Sequence, residues 1–286
     1  MTFRTCLAIR AALLLAGSVS ALAPTAFSQW IGYPTPDVPR TKDGKPDLLA
    51  PAPRDAEGHP DLSGMWEQDR RGAPPPVANA QPRTGPQGTL LQPNRGQFWD
   101  LGTGIPGGLP YQPWARELME KRRDANSKDN PDVHCLPLGI LQTHTHPFLR
   151  KYVQLPGVLV ILFERDSEFR QIFTDGRPLP VDPQPTFGGY SSGKWEGDTL
   201  VVQSSGFRDG LWADYNGSPL TDAAKITERF RRPNFGHMEI EVTVDDPKAY
   251  TKPWTATIKL AISLNTELLE YLCVENEKDA AHMVGR

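Results

Sequence analysis

The run His237-Met238-Glu239-Ile240-Glu241-Val242-Thr243-Val244 holds the densest chemistry in the chain. As a strand it places His237, Glu239, Glu241 and Thr243 on one face and Met238, Ile240, Val242 and Val244 on the other. An imidazole and two carboxylates along one wall can act as base, acid or metal ligands if that wall lines an enclosed interior, where mutual repulsion raises a carboxylate pKa. Facing water, the same residues are the ordinary solvated side of an antiparallel strand. His237, Glu239 and Glu241 form the candidate catalytic set.

His144-Thr145-His146 puts two imidazoles on one side of any extended segment, a spacing suited to a shared metal, with His134 nearby before Cys135. The cupin pattern would place a carboxylate a few residues on, where Arg150 and Lys151 stand instead. No metal is therefore assigned, and His144 and His146 remain bare candidates. Trp195, Trp212, Tyr215, Phe230 and Trp254 are the rings expected to line an apolar ligand cavity, with plain core packing as the alternative. The loop from Asp209 to Thr221, with Trp212, Asp214, Tyr215 and Asn216, reads as a mobile flap at a cavity mouth. Ser204-Ser205-Gly206 lacks the Gly-x-Ser-x-Gly context of a nucleophile elbow. No phosphate loop, dinucleotide fingerprint or thiol–zinc cluster occurs, so no cofactor is expected.

The elements that must position these residues follow from local texture. From Gln29 to Gln112 the chain holds 15 Pro and 12 Gly in 84 residues, with no sustained periodicity, and reads as an irregular arm. It contains an echo, Asp43-Gly44-Lys45-Pro46-Asp47-Leu48 and Glu57-Gly58-His59-Pro60-Asp61-Leu62, and a first strand near residues 63–67. Pro113 to Asn126 predicts the one helix, opened by Pro. From Lys151, short β-rich runs separated by Pro156-Gly157, Asp175-Gly176 and Gly197-Asp198 predict eight or nine strands, ending with Glu267 to Val274. No helix intervenes for parallel crossovers. An antiparallel meander of that length removes its edges by closing, so an all-β, up-and-down barrel over residues 113–286 is expected, with a two-sheet sandwich as the alternative.

Residues 1–28 read as a signal peptide: Arg4 and Arg10, an apolar run from Ala11 to Ala23 too short to span a bilayer, and Ala26-Phe27-Ser28 before a cut at Gln29. This predicts a periplasmic or secreted protein without a membrane span. The chain's formal charge of −3 becomes −5 once Arg4 and Arg10 are removed, which leaves no basic footprint for nucleic acid. Export leaves Cys135 and Cys273 in an oxidising compartment, as a disulfide or as two separate thiols.

Two resemblances bear on this reading. Gly64-Met65-Trp66 ahead of a meander resembles the Gly-x-Trp signature opening lipocalin and other calycin-type barrels. Pro60-Asp61-Leu62-Ser63-Gly64-Met65-Trp66, Cys135-Leu136-Pro137, Asp175-Gly176-Arg177-Pro178, Trp195-Glu196-Gly197-Asp198-Thr199-Leu200-Val201-Val202 and Asp245-Asp246-Pro247-Lys248-Ala249-Tyr250 together resemble a family of secreted, uncharacterised bacterial proteins. That resemblance implies secretion and a shared fold and carries no catalytic set. The expected function is binding of an apolar or aromatic small molecule in a barrel. The alternatives are a cofactor-independent lyase, isomerase or hydrolase using His237, Glu239 and Glu241, and an envelope structural or interaction protein contacting its partner through the Pro/Gly arm.

Overall fold

The computed structural model describes residues 33–69, 101–102 and 105–273, together with the backbone at 83–84 and 90–91. The segment expected to be a signal peptide lies outside the described residues. In chain order the strands are β1 (Gly64–Gln68), β2 (Arg83–Thr84), β3 (Leu90–Leu91), β4 (Arg150–Leu155), β5 (Val158–Phe163), β6 (Phe169–Phe173), β7 (Tyr190–Glu196), β8 (Thr199–Ser205), β9 (Leu211–Trp212), β10 (Pro219–Leu220), β11 (Lys225–Asn234), β12 (His237–Asp245) and β13 (Trp254–Ile262). Helix α1 spans Pro113–Asp124 and α2 spans Gly139–Thr145, preceded by a 3-10 turn at Pro131–His134.

Nine strands close into one barrel in the order β1-β13-β12-β11-β8-β7-β6-β5-β4, with β1 returning to β4. All pairings in it are antiparallel except β6 with β7, which meet in parallel through Phe173 and Ser192. The expected up-and-down barrel is thus present, with one seam changed by the long Pro-containing link between β6 and β7. The seam formed by β1 pairs Trp66 with both Ile262 and Arg150, so a strand from the Pro/Gly arm completes the wall. Gly64 there has φ +143, a backbone conformation that residues with a Cβ rarely adopt, which explains the glycine two residues before the tryptophan.

Turn chemistry sets the register. Gly197 has positive φ at the first loop position of the β7–β8 hairpin, where it suits a two-residue turn. Pro156-Gly157 performs the equivalent task between β4 and β5, Gly157 again with positive φ. Ile226, Glu228, Phe230 and Arg232 of β11 and Met238, Ile240, Val242 and Val244 of β12 are buried and share the lumen with Trp66, Tyr152, Ile161, Ile172, Leu200, Val202, Ile258 and Leu260.

Both ends are covered. At one end α2, buried along almost its whole length, sits across the opening beside the β9–β10 hairpin. Its first residue, Gly139, has φ +74, and a Cβ would meet the Phe187 carbonyl oxygen at 2.8 Å. Helix α1 packs through Ala115 and Met119, and its Arg122 lies 4.6 Å over the Trp212 ring while donating to the Gly217 carbonyl. At the other end Leu62 is buried and Arg232 lies over Trp66 at 4.9 Å, donating to the carbonyls of Asp61, Ser63 and Phe235.

Three expectations are corrected. A second helix and a 3-10 turn follow the one helix expected, because Gly139 and the apolar Ile140 and Leu141 let the segment around His144 turn inward over the open barrel end. The described part of the strand expected from Glu267 to Val274, residues 267–273, forms no strand: both neighbours of β13 are taken, and only a bridge between Arg165 and Tyr271 remains there. The loop from Asp209 to Thr221, expected to be a flap, is packed: Leu211, Trp212, Ala213, Asp214, Ser218, Leu220 and Thr221 are buried, and Tyr111 Oη meets Ser218 Oγ at 2.7 Å.

Cys135 and Cys273 form a disulfide with Cα atoms 5.5 Å apart, tying the turn before α2 to the segment that follows β13. It closes a loop 138 residues apart in sequence. Chain entropy then sets the loss on replacing both cysteines by Ser at no more than about 5 kcal/mol. Urea unfolding of C135S/C273S against the oxidised protein measures it; unchanged stability would show that the unfolded chain is equally restricted without the bridge.

Candidate functional site

The lumen of this barrel contains charge. Glu228, fully buried, accepts from Arg170 on both carboxylate oxygens, with Nη1 at 3.0 Å from Oε1 and Nη2 on Oε2. Arg170 also donates to Ser191 Oγ and Ser204 Oγ, both at 3.1 Å from Nη2, and the two hydroxyls are 2.8 Å apart. On the other side His144 Nε2 lies 2.9 Å from Glu228 Oε1, and its Nδ1 lies 3.0 Å from Arg150 Nη1. A guanidinium can only donate, so Nδ1 accepts and Nε2–H donates to the carboxylate. The helix is held in turn by Gln68, whose Nε2 donates to the His144 carbonyl at 2.7 Å.

These contacts decide the protonation states. Burial pushes Glu228 up, but the Arg170 charge and the His144 hydrogen bond outweigh it and bring the carboxyl to about 2. Burial, reinforced by Arg150 and Arg170, holds His144 below its ordinary value despite Glu228. Burial raises the Tyr152 phenol to about 12. The chain Arg150–His144–Glu228–Arg170 therefore consists of two cations, one anion and a neutral imidazole with both ring nitrogens engaged.

A second buried group lies behind α2. Arg165 donates to Asp132 Oδ1 at 2.7 Å and Glu168 Oε1 at 2.9 Å, and also pairs with Asp166 at 2.8 Å. His146 Nδ1 is 4.0 Å from Asp132 Oδ2, and burial drives its pKa down to about 4. His144 and His146 thus serve different clusters: the first is helical and turned to Glu228, the second is an extended cap residue turned to Asp132. Among the described residues no group of three or more His, Cys, Asp or Glu side chains is arranged to hold a metal ion.

The structure places the catalytic candidates on the outer face of the barrel. Met238, Ile240, Val242 and Val244 fill the lumen, so period-2 alternation turns His237, Glu239 and Glu241 outward. Glu239 and Glu241 stand opposite Arg231 and Arg229 across the β11–β12 ladder, in a shallow groove of about 270 Å³ shared with Thr199 and Thr257. His237 Nδ1 is 2.7 Å from Asn234 Oδ1 in the hairpin turn. The inward face those residues needed belongs to their apolar neighbours.

The five aromatic candidates are dispersed. Phe230 is lumen core, Trp212 is buried beneath Arg122, and Tyr215 accepts through its carbonyl from Ser127 Oγ at 3.3 Å. Trp195 stacks on His59 at 4.6 Å, and Trp254 packs edge-on to Tyr250 at 5.4 Å. Trp254 borders a recess. This concavity of about 460 Å³ lies between residues 105–111, Arg116 and residues 251–255. Leu109, Pro110, Tyr111, Pro253 and Trp254 border it, with Leu109 and Trp254 almost wholly buried, so its open surface is mainly polar; Arg116 and Lys252 add two cations, and the Arg116 guanidinium sits 5.4 Å over the Tyr111 ring.

Comparison with protein-family models and with curated proteins finds no match.

The lumen network was missed because each member reads as an ordinary polar residue in its own strand. The usable signal was that Glu228 and Arg232 fall on the same alternation as Ile226 and Phe230, and Arg170 on that of Ile172.

Glu228→Gln leaves the Arg170 charge buried without its counter-ion and is expected to cost about 3–5 kcal/mol in chemical denaturation. A loss under about 1 kcal/mol would show that Arg170 is stabilised by other groups.

Acid stability follows from the same groups. The folded chain keeps His144 and His146 neutral, whereas the unfolded chain protonates them below about 6.5, so stability is full above 6.5 and falls as pH drops through it. For His146 the loss continues to about 4, worth about 2 kcal/mol between pH 7.5 and pH 5. The contribution of Glu228 is lost lower down, from 4.5 toward 2. His146→Gln should flatten the pH 5–7.5 slope in urea titrations; an unchanged slope would refute the assignment.

Proposed function

We propose that this chain is an exported, periplasmic or secreted barrel protein that binds an apolar or aromatic small molecule, held in the outer recess beside Trp254. The carrying observation is the lining of that recess, in which the Tyr111 ring, Pro253 and the edge of Trp254 stand next to the cations Arg116 and Lys252 in a largely polar surround. Its volume suits a small ligand, and its charge selects one with an acidic group, such as an aromatic carboxylate.

The lumen is a poorer place for the ligand, because Trp66, Tyr152, Phe230 and the paired charges fill it and both ends are covered. Enzyme chemistry also has less support than binding. A general base needs a lone pair aimed at substrate, and both nitrogens of His144 are engaged. The disulfide favours an oxidising compartment, and among the described residues no helix is long and apolar enough to cross a membrane. The closed barrel supports kinship with calycin-type proteins and with the secreted bacterial family whose motifs the chain resembles.

2-Naphthoate titrated into the full protein tests this reading. Saturable binding is expected, weakened about tenfold or more by Arg116→Glu, which is about 1.4 kcal/mol, and unaffected by Glu239→Gln on the outer barrel face. Absence of saturable binding, or equal affinity in Arg116→Glu, would overturn it.

A further inference from the structure

The echo in the arm is a structural duplication. Residues 39–48 and 53–62 form two turns offset by 14 positions, and they share a set of matching contacts. Thr41 N donates to Lys45 O at 2.8 Å, as Asp55 N does to His59 O at 2.9 Å. Asp47 N donates to Pro39 O at 2.7 Å, as Asp61 N does to Pro53 O at 2.8 Å. Arg40 Nη1 donates to Gly44 O at 2.8 Å and Arg54 Nη1 to Gly58 O at 2.6 Å, each over a glycine with positive φ. Asp47 and Asp61 each accept at Oδ1 from the backbone N–H two residues on, in Leu49 and Ser63.

The second turn has an occupant. It grips the β7–β8 hairpin turn Trp195-Glu196-Gly197-Asp198 with two groups: Arg54 donates to both Asp198 carboxylate oxygens at 2.8 Å, and the His59 ring lies parallel on Trp195. The first turn is held on the barrel by its other side, where Leu48 and Ala50 accept through their carbonyls from Gly236 and Phe235. Arg40 and Lys45, which correspond to Arg54 and His59, are left exposed, and Leu49 beside them is 75% exposed.

We infer that the first turn is a preformed docking surface for a partner protein that displays an acidic β-turn led by an aromatic residue. Arg40 already lies over its own loop carbonyl, as Arg54 does, so its fork is ordered before it meets a carboxylate. Lys45 takes the place of the stacked imidazole, and an ammonium over an aromatic face is an attractive pairing. Leu49 adds an apolar contact at the edge. The surface is independent of the recess beside Trp254.

A cyclic peptide presenting Trp-Glu-Gly-Asp, titrated into the full chain and followed by NMR shifts, is the test. Expected are saturable shifts around Arg40 and Lys45, with affinity reduced about tenfold or more by Arg40→Ala, by Arg40→Lys, which keeps the charge but loses the two-pronged donor, and by Asn in place of the peptide's Asp. Arg54→Ala should leave this binding intact. No saturable binding at millimolar peptide, or equal affinity for Arg40→Ala or for the Asn peptide, would overturn the inference. Arg40 is exposed, so its variants should melt as the parent does.

Discussion

Closure of the wall by β1 is the constraint on which the remaining structure depends. Without it β4 and β13 would each present an open row of backbone donors and acceptors, and the lumen would be a cleft open to water. The strand that closes the seam comes from a Pro/Gly-rich arm with little periodicity. It is held by what it inserts: Leu62 and Trp66, both fully buried, with the Trp66 indole donating to the Leu62 carbonyl at 3.1 Å. Arg232, brought under the same ring from β11, ties the arm to the opposite wall through two of its carbonyls, and burial lowers its pKa only to about 10, so it stays charged.

A closed lumen must then be filled, and this one is filled unequally. Aliphatic side chains from β8, β12 and β13 pack most of it, while the end beneath α2 holds guanidinia, a carboxylate and an imidazole. Burying these charges is tolerable because each meets several partners of complementary chemistry, and because α2 supplies two of the contacts needed. The helix is therefore both a cover and a member of the network: His144 connects Arg150 to Glu228, and the disulfide anchors the turn that leads into it. Acid sensitivity and the geometry of the covered end share this cause.

Filling the lumen moves accessible chemistry to the outside. The concavity beside Trp254 forms where the end of the arm, α1 and the approach to β13 meet without filling the corner. The two duplicated turns lie toward the other end, one consumed in fastening the β7–β8 hairpin and one facing solvent. A barrel packed solid in this way presents function on its rims and coverings, where loop composition can vary without disturbing the core.

Much of the barrel was legible because it depends on local physics. Period-2 runs and turns such as Pro156-Gly157 and Gly197-Asp198 set strand number and antiparallel order, and the arm's strand near Gly64 stood out by its Gly-Met-Trp pattern. Alternation also divided β12 correctly into two faces. Which face turned inward was decided only by closure, since burial of four apolar side chains outweighs enclosure of His237, Glu239 and Glu241 without partners. Spacing offered His144 and His146 as a pair, yet the helix beginning at Gly139 sends them to different clusters. The union of Arg150, His144, Glu228 and Arg170 spans up to 84 positions, and no local pattern specifies which distant charges will share a lumen. Residue types limit the chemistry available; long-range pairing of strands selects which of it is brought together.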